Sequence, residues 1–190
     1  MNEHDVVIVS VARTPMGGLQ GCFKGLTASQ LGAISIKAAV DRAQVSVESI
    51  EELVMGCVLP AGQGQAPARQ ASIGAGLPLS VGCTTINKMC GSGMKAVMLT
   101  HDLIKAGSAQ VAVAGGMESM TNAPYLLPRA RSGYRLGHQE VKDHMFLDGL
   151  EDAYDKGRLM GAYAEDCAGT YQFSREQQDA FSIESLERTK

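Results

Sequence analysis

Residues 87–96 read NKMCGSGMKA, and this stretch decides how the rest of the chain is interpreted. A short apolar segment, 83–86, leads into it, and a helical pattern from about Cys90 to Ala106 leads out of it. Gly91 and Gly93 permit a sharp backbone turn and the close approach of a substrate. A cysteine at the start of a helix faces unpaired N–H groups and the positive end of the helix dipole, which favours the thiolate. Since a thiolate attacks carbonyl and thioester carbons, Cys90 is the candidate nucleophile.

The other four cysteines are predicted to be structural. Cys57 and Cys83 lie in or near apolar runs, Cys22 in a glycine-rich loop and Cys167 beside a helical stretch. A small sulfur side chain in such places is usually a packing group. The five cysteines form no CxxC, and no histidine pair has zinc spacing, so neither a disulfide scaffold nor a metal site is expected. These features fit a reducing compartment, and we expect a cytoplasmic protein.

Strands and helices are predicted to alternate on both sides of the cysteine stretch. The predicted strands are the β-branched run 6–11 (VVIVSV), the apolar run 53–59, residues 83–86, and 111–114 before Gly115-Gly116. The predicted helices are 27–43, which Thr27 or Ser29 can cap, and 67–76, which begins at Pro67. This alternation favours an α/β fold with a parallel or mixed sheet covered on both faces.

The character of the chain changes after Gly116. Residues 117–165 contain few β-branched runs, and we expect a long, partly helical excursion outside the sheet. Ser174 and Gln177 form a capping-box signature that opens a final helix. Because that helix reaches Lys190 without a stop signal, we expect the chain to be a fragment of a longer enzyme or to work with a partner chain.

Bulk composition excludes several classes of protein. The 190 residues are 45% hydrophobic and carry a net charge of −3, which disfavours a general nucleic-acid binder. No segment approaches the ~18 consecutive apolar residues that a membrane helix requires, so no membrane association is expected.

The cysteine stretch resembles the acylated-cysteine motif of the thiolase family. Further stretches are similar to thiolase motifs in the same order along the chain. They are VSVARTPMG at 9–17, MGCVL at 55–59, GQAPARQ at 64–70, AGGMESM at 114–120, DGL at 148–150, MG at 160–161 and AE at 164–165. Within the family, the run 124–137 is most similar to the bacterial acetyltransferases that act on acetyl-CoA.

The resemblance implies a layered αβαβα fold built from two similar halves. Residues 1–120 would form the N-terminal half-domain with the nucleophile, and 121–190 the first part of an inserted loop domain for CoA binding and oligomerisation. The resemblance also implies a homodimer or homotetramer. Its substrates would be coenzyme A thioesters, with no further cofactor and no metal.

The activity implied is a two-step acyl transfer. Cys90 would take an acyl group from an acyl-CoA, and a second CoA thioester, or free CoA in reverse, would resolve the acyl-enzyme. In the family, the second half supplies a histidine in a Gly-His-Pro motif and a second cysteine in a Cys-x-Gly-Gly motif. Neither string occurs in these 190 residues. His101 is expected on the surface or in packing, and His138 and His144 in solvated positions, so the chain holds the nucleophile without its base.

Two sets of residues are candidate contacts to CoA. Arg129, Arg131 and Arg135 form a small basic patch that suits the 3′-phosphate and pyrophosphate, although solvated surface or subunit-contact roles are equally compatible. Leu150 and Met160 match apolar residues that line the pantetheine groove in the family. Many relatives read His-Met-Gly where this chain reads Leu159-Met160-Gly161, so that histidine's contact is not carried over.

Three functions remain open at this point. The leading hypothesis is reversible condensation of two acetyl-CoA to acetoacetyl-CoA and CoA, and the next is a degradative 3-ketoacyl-CoA thiolase that acts on longer chains. A hypothesis of another class is a non-catalytic CoA-binding or assembly module that needs a separate C-terminal half. A ketoacyl synthase of the same superfold is less favoured, because the stretch around Cys90 is thiolase-like.

Overall fold

Three parallel strands form the sheet on which the candidate site is built. In a computed structural model, which describes residues 5–190, they are β1 (Glu52–Gly56), β2 (Gly82–Ile86) and β3 (Ala112–Gly116), in the order β2-β1-β3. Glu52 is aligned with Gly82 on one side and with Ala112 on the other. The alternation of strands and helices in the sequence therefore predicted the type of sheet correctly.

Three helices flank these strands: α1 (Ala28–Ala43), α2 (Pro67–Gly74) and α3 (Ser92–Lys105). A capping box starts α1, because Thr27 accepts a hydrogen bond from the backbone of Gln30 and the Gln30 side chain accepts one from the backbone of Thr27. Helix α2 begins at Pro67. Proline lacks an N–H group, but N–H groups in the first turn of a helix make no intrahelical hydrogen bond, so none is lost there. Thr27 and Pro67 are thus the starting signals that the sequence indicated.

Both faces of β1 are covered. Leu53, Met55 and the following Cys57 belong to one buried cluster with side chains of α1 and α2, while Gly56 faces the first turn of α3. Each large apolar side chain buried in this way contributes roughly 1.5–3 kcal/mol to stability. Burial on both faces explains why the run is continuously apolar and not alternating.

The run 6–11 forms no strand, so that prediction was wrong. Val7, Ile8, Val9 and Val11 are each at least half exposed. A cavity of about 440 Å³ is lined by this run, by β3, and by α1 and α3, so open space lies beside the edge of β3. β-branched residues favour extended backbone, but a ladder also needs a neighbouring strand whose N–H and C=O groups are within reach.

The sequence predicted an excursion outside the sheet over residues 117–165, and no residue of that range belongs to the three-stranded sheet. The short strands β4 (Tyr125–Leu126) and β5 (Lys142–Asp143) pair antiparallel and enclose a mostly exposed segment. Single helical turns occur just before β1 and within the excursion. They are the 3₁₀ turns Val47–Ser49, Met120–Asn122 and Ala130–Ser132 and the π-helical turn Phe146–Leu150.

A second compact unit, Leu150–Lys190, follows a first that ends at Gly149. It contains α4 (Met160–Thr170) and α5 (Arg175–Thr189), and the predicted capping box of Ser174 and Gln177 opens α5. Before α4, the guanidinium of Arg158 lies 4.0 Å from the ring centroid of Tyr163 and forms an ion pair with Asp166. The division into domains 1–120 and 121–190 follows from the resemblance and stays a prediction, because the two compact units are defined by their internal contacts.

Two features are absent from residues 5–190. None of the helices there is both long and apolar enough to cross a membrane. No group of three or more His, Cys, Asp or Glu side chains in that range is arranged to hold a metal ion.

Candidate active site

The carboxyl ends of the three parallel strands meet at one edge of the sheet, and the segments that follow them converge there. The backbone N–H of Cys57, just after β1, donates to the carbonyl of Ile86 at the end of β2 over 3.0 Å. The backbone N–H of Met117, just after β3, donates to the carbonyl of Gly56 over 2.9 Å. This edge is where ligands bind in open parallel sheets.

Cys90 lies at this edge, in a loop between β2 and α3. It is exposed and immediately precedes Gly91, the N-cap of α3. The strand–turn–helix geometry predicted from 87–96 is therefore present. Exposure at the end of three strands leaves its sulfur accessible to a thioester.

The sharp turn is made by Met89 and not by a glycine. Met89 has φ of +50°, a left-handed conformation that costs a non-glycine residue roughly 1–2 kcal/mol. Gly91, at φ −88°, is not left-handed, so the expectation that the glycines bend this backbone was wrong. The conformation at Met89 is held from both sides: its N–H donates to Asn87 Oδ1 over 2.9 Å, and its carbonyl accepts from Ser92 Oγ over 2.6 Å. The loop before Cys90 is thus fixed by side chains.

Glycine matters instead where the helix meets the sheet. A Cβ atom on Gly56 would lie 2.6 Å from the carbonyl carbon and Cβ of Ser92 and 2.8 Å from the backbone nitrogen of Gly93. Contacts this short do not occur between real atoms, so only glycine lets the first turn of α3 rest on the end of β1. This contact fixes how closely the first turn of α3, which begins two residues after Cys90, approaches the end of β1.

Glu118, a residue to which the sequence alone assigned no role, binds the turn that follows β1. Glu118 Oε2 accepts from Val58 N over 2.8 Å, and its Oε1 accepts from Leu59 N over 3.1 Å and from the thiol of Cys57 over 3.6 Å. Glu118 lies two residues after β3, at the same edge of the sheet as the cysteine stretch, and this position in the sequence could have indicated a role at the site. Burial, and then the negative charge of Glu118, raise the pKa of the Cys57 thiol to about 11. Cys57 is buried and protonated near neutral pH, which agrees with its prediction as a structural residue.

His144 is buried, which corrects the expectation that it is solvated. Only 4% of the residue is exposed. Its Nδ1 lies 2.6 Å from Asp148 Oδ2, and its Nε2 accepts from the backbone N–H of Ala61 over 3.4 Å. Since both ring nitrogens are occupied, this histidine pins the loop after β1 and has no free nitrogen to serve as a base for Cys90.

The three candidate phosphate-binding arginines remain in solvent. Arg129, Arg131 and Arg135 are all exposed, in the segment between β4 and β5. Within the described part of the chain, none of their guanidinium groups forms an ion pair. They are available for an anionic ligand, and their role stays a prediction.

Leu150 and Met160 both belong to the second unit. An antiparallel bridge pairs Glu151 with Leu159, so Leu150 and Met160 flank the two ends of one closed loop. Leu150 is half-buried, while Met160, the first residue of α4, is 44% exposed. The bridge brings the backbone next to Leu150 close to the backbone next to Met160, and the contact of these two residues to CoA remains a prediction.

Comparison with known proteins gives consistent similarities. A family model described as thiolase, N-terminal domain, matches residues 6–190. Acetyl-CoA acetyltransferase 1 of Arabidopsis thaliana is 53% identical over 189 residues, which are 99% of this chain and 45% of the relative. Acetyl-CoA acetyltransferase of Schizosaccharomyces pombe is 49% identical over 190 residues, which are all of this chain and 48% of the relative.

A solved structure is similar in three dimensions. The crystal structure of Acat5 thiolase from Ascaris suum in complex with coenzyme A matches with a TM-score of 0.89 and 40% sequence identity, covering 95% of this chain and 46% of that one. The chain thus spans a little under half the length of the relatives it matches.

Proposed function

The chain belongs to the thiolase family, and from this premise we propose that it supplies the nucleophile of an acyltransferase that reversibly condenses two acetyl-CoA to acetoacetyl-CoA and CoA. The observation that carries the proposal is the exposed Cys90, held at a strand–turn–helix junction within the matched domain. The substrate assignment is supported by relatives near 50% identity that are named acetyl-CoA acetyltransferases.

The proposed chemistry has two steps. In the first, the Cys90 sulfur attacks the thioester carbonyl carbon of acetyl-CoA, the acetyl group moves to Cys90, and CoA leaves with a proton. In the second, the α-carbon of another acetyl-CoA loses a proton and attacks the acetyl-enzyme, which forms acetoacetyl-CoA and frees the Cys90 thiol. One difficult condensation is thereby divided into two easier transfers.

The groups that move protons in these steps are proposed to lie on a C-terminal half of the thiolase type. Both nitrogens of His144 are engaged and Cys57 is buried and protonated, so neither takes that role here. "Complete enzyme" below means the protein that contains this chain together with such a half.

CoA is proposed to meet the chain at the two sets of residues predicted from the sequence. Arg129, Arg131 and Arg135 would bind its phosphates, and Leu150 and Met160 its pantetheine arm. The free, exposed guanidinium groups and a thiolase of related structure that was crystallised with coenzyme A support this assignment.

Compartment and assembly are also proposals. A reducing compartment, the cytoplasm, is supported by five cysteines that are all free thiols. A homodimer or homotetramer is supported by large apolar side chains left in solvent, such as Leu136 at 92% exposed and Tyr154 at 98%.

The test is to trap the acyl-enzyme. The complete enzyme is mixed with acetyl-CoA, quenched in acid and digested, and the peptides are analysed by mass spectrometry. We expect acetylation of Cys90 alone, its loss in Cys90→Ala, and its retention in the matched control Cys167→Ala, whose cysteine is also exposed. Acetylation of another cysteine, or normal turnover by Cys90→Ala, would overturn the proposal.

Chain length is decided by the same preparation. Thiolysis rates are compared for acetoacetyl-CoA and for 3-ketoacyl-CoA substrates of increasing length. A rate that falls with length supports the acetyltransferase, and a rate that rises supports the degradative alternative.

A further inference from the structure

We propose that Glu118 is a positioning residue for Cys90, acting through the turn 57–59 and through Asn87. This inference rests on the proposed acyl transfer at Cys90. Neither the sequence motifs nor the chemistry of Cys90 explains why a carboxylate stands at position 118, and this inference gives it a role.

Glu118 ties together the ends of two neighbouring strands. It follows β3, whereas the backbone groups that it binds follow β1. Each carboxylate oxygen takes one backbone N–H, Oε2 from Val58 at 2.8 Å and Oε1 from Leu59 at 3.1 Å. These N–H groups have left the sheet ladder, and a carboxylate satisfies both at once with charge-assisted bonds. The turn 57–59 is therefore fixed by Glu118.

The turn is in direct contact with the cysteine loop. The carbonyl of Val58 accepts a hydrogen bond from Asn87 Nδ2 over 3.4 Å. The other end of the same side chain, Asn87 Oδ1, accepts from the N–H of Met89 over 2.9 Å. Met89 is the left-handed residue that directs the chain into Cys90. Asn87 thus links the turn that Glu118 holds to the residue that aims the nucleophile.

A second support holds the same turn from the opposite side. Gln63 Nε2 donates to the carbonyl of Leu59 over 2.8 Å and to the sulfur of Cys57 over 3.4 Å. Gln63 binds the carbonyl of Leu59 and Glu118 binds the N–H groups of Val58 and Leu59, so the turn has one defined position. A shift of the Glu118 carboxylate would move Val58, and Asn87 and Met89 with it.

Replacing Glu118 with glutamine tests the role with the smallest change in shape. The amide keeps one acceptor but turns an NH₂ group against a backbone N–H, so one of the two bonds is lost. In the complete enzyme we expect kcat to fall about tenfold or more with KM changed less than about twofold, since misaimed nucleophiles lose rate and not binding. The single-turnover rate of Cys90 acetylation, followed by mass spectrometry, should fall by the same factor.

The control is Glu51→Ala. Glu51 lies at the opposite, amino end of the sheet, and its carboxylate accepts from the backbone N–H of Gln110. This substitution removes one carboxylate–backbone bond far along the strands from the cysteine loop, so we expect a drop in Tm and an unchanged kcat. Equal losses of kcat in the two variants, or wild-type kcat in Glu118→Gln, would overturn the positioning role.

A second variant keeps the proposal testable if Glu118→Gln fails to fold. Asn87 is exposed, so Asn87→Ala removes the link without opening the core. It should lower kcat about as much as Glu118→Gln, and the double variant should lose less than the product of the single losses, because both act through one path. Wild-type kcat in Asn87→Ala, or losses that multiply, would overturn the path. Absence of acetyl-Cys90 in the wild-type enzyme would instead refute the proposed function.

Discussion

The cysteine loop 87–92 and the arginine segment 129–135 both carry groups singled out by the sequence, and they are built in opposite ways. The loop is held by side chains of Asn87 and Ser92 and rests on Gly56. The segment is exposed throughout, and its one 3₁₀ turn is closed by local bonds such as Ser132 Oγ to the carbonyl of Arg129. A nucleophile must be held in a defined orientation toward the carbon that it attacks, whereas exposed arginine side chains can bind a solvated phosphate while they remain mobile.

The largest expected effect comes from lifting the loop off its support. In Gly56→Ala the new methyl group would collide with backbone atoms of Ser92 and Gly93, so the start of α3 must move. We expect the free energy of unfolding to fall by roughly 1–3 kcal/mol and kcat of the complete enzyme to fall about a hundredfold. Chemical denaturation and steady-state kinetics measure the two effects.

The control for this substitution is Gly25→Ala, where a Cβ atom would meet nothing within 4 Å. It should behave as the wild type in both measurements. A folded Gly56→Ala enzyme with wild-type kcat would show that the contact between Gly56 and α3 does not position Cys90. The contrast with the arginine segment would then be lost.

A smaller effect is expected when the arginines are replaced. Changing Arg129, Arg131 and Arg135 to alanine should raise KM for acyl-CoA by up to about fivefold per arginine and leave kcat nearly intact, because exposed charges bind substrate and transition state alike. The effect should shrink as salt is added. A pantetheine thioester, which lacks the nucleotide phosphates, should show a weaker defect.

The pantetheine substrate also separates binding from folding. Equal losses toward CoA and pantetheine thioesters would assign the arginines to subunit assembly or stability, and a loss of kcat would mean that this segment is as fixed as the cysteine loop.

The smallest expected effect is on the pH dependence of stability, and it comes from the buried Cys57. The pKa of Cys57 is about 11 in the folded chain against an ordinary value of 9.0. Between these values the unfolded chain releases the proton and the folded chain retains it, so this contribution to stability is complete below pH 9 and disappears as the pH rises through 11. Thermal unfolding across that range should show a shallower decline in Cys57→Ala than in the wild type.

Cys22→Ala serves as the comparison for that pH series, because Cys22 is exposed. It should keep the wild-type decline. Identical slopes in Cys57→Ala and the wild type would mean that Glu118 and burial do not hold this thiol protonated.

Much of the fold was predictable because its signals are local. The capping residues Thr27 and Ser174, the first-turn Pro67 and the apolar run that became β1 act through nearby groups or through strong burial. The run 6–11 is richer in β-branched residues than β1 but forms no strand, since pairing depends on a neighbour that composition does not reveal.

The candidate site divides in the same way. Cys90 was identified from its flanking residues, whereas the turn at Met89 depends on bonds to Asn87 and Ser92 that spacing does not encode. The burial of His144 and the bonds of Glu118 join residues about 60 to 80 positions apart, and only the folded chain brings them together. Long-range polar contacts of this kind leave no periodic signature in one sequence.

The open edge of β3 has a consequence for how this chain behaves at high concentration. In the order β2-β1-β3, β3 is an edge strand of the described sheet, and the exposed apolar run 6–11 lines a cavity beside it without pairing. Such an edge is a template on which a second polypeptide can add its backbone. Produced by itself, the chain should therefore tend to aggregate through edge-to-edge pairing. Co-expression with a C-terminal thiolase half should be the practical route to a homogeneous preparation.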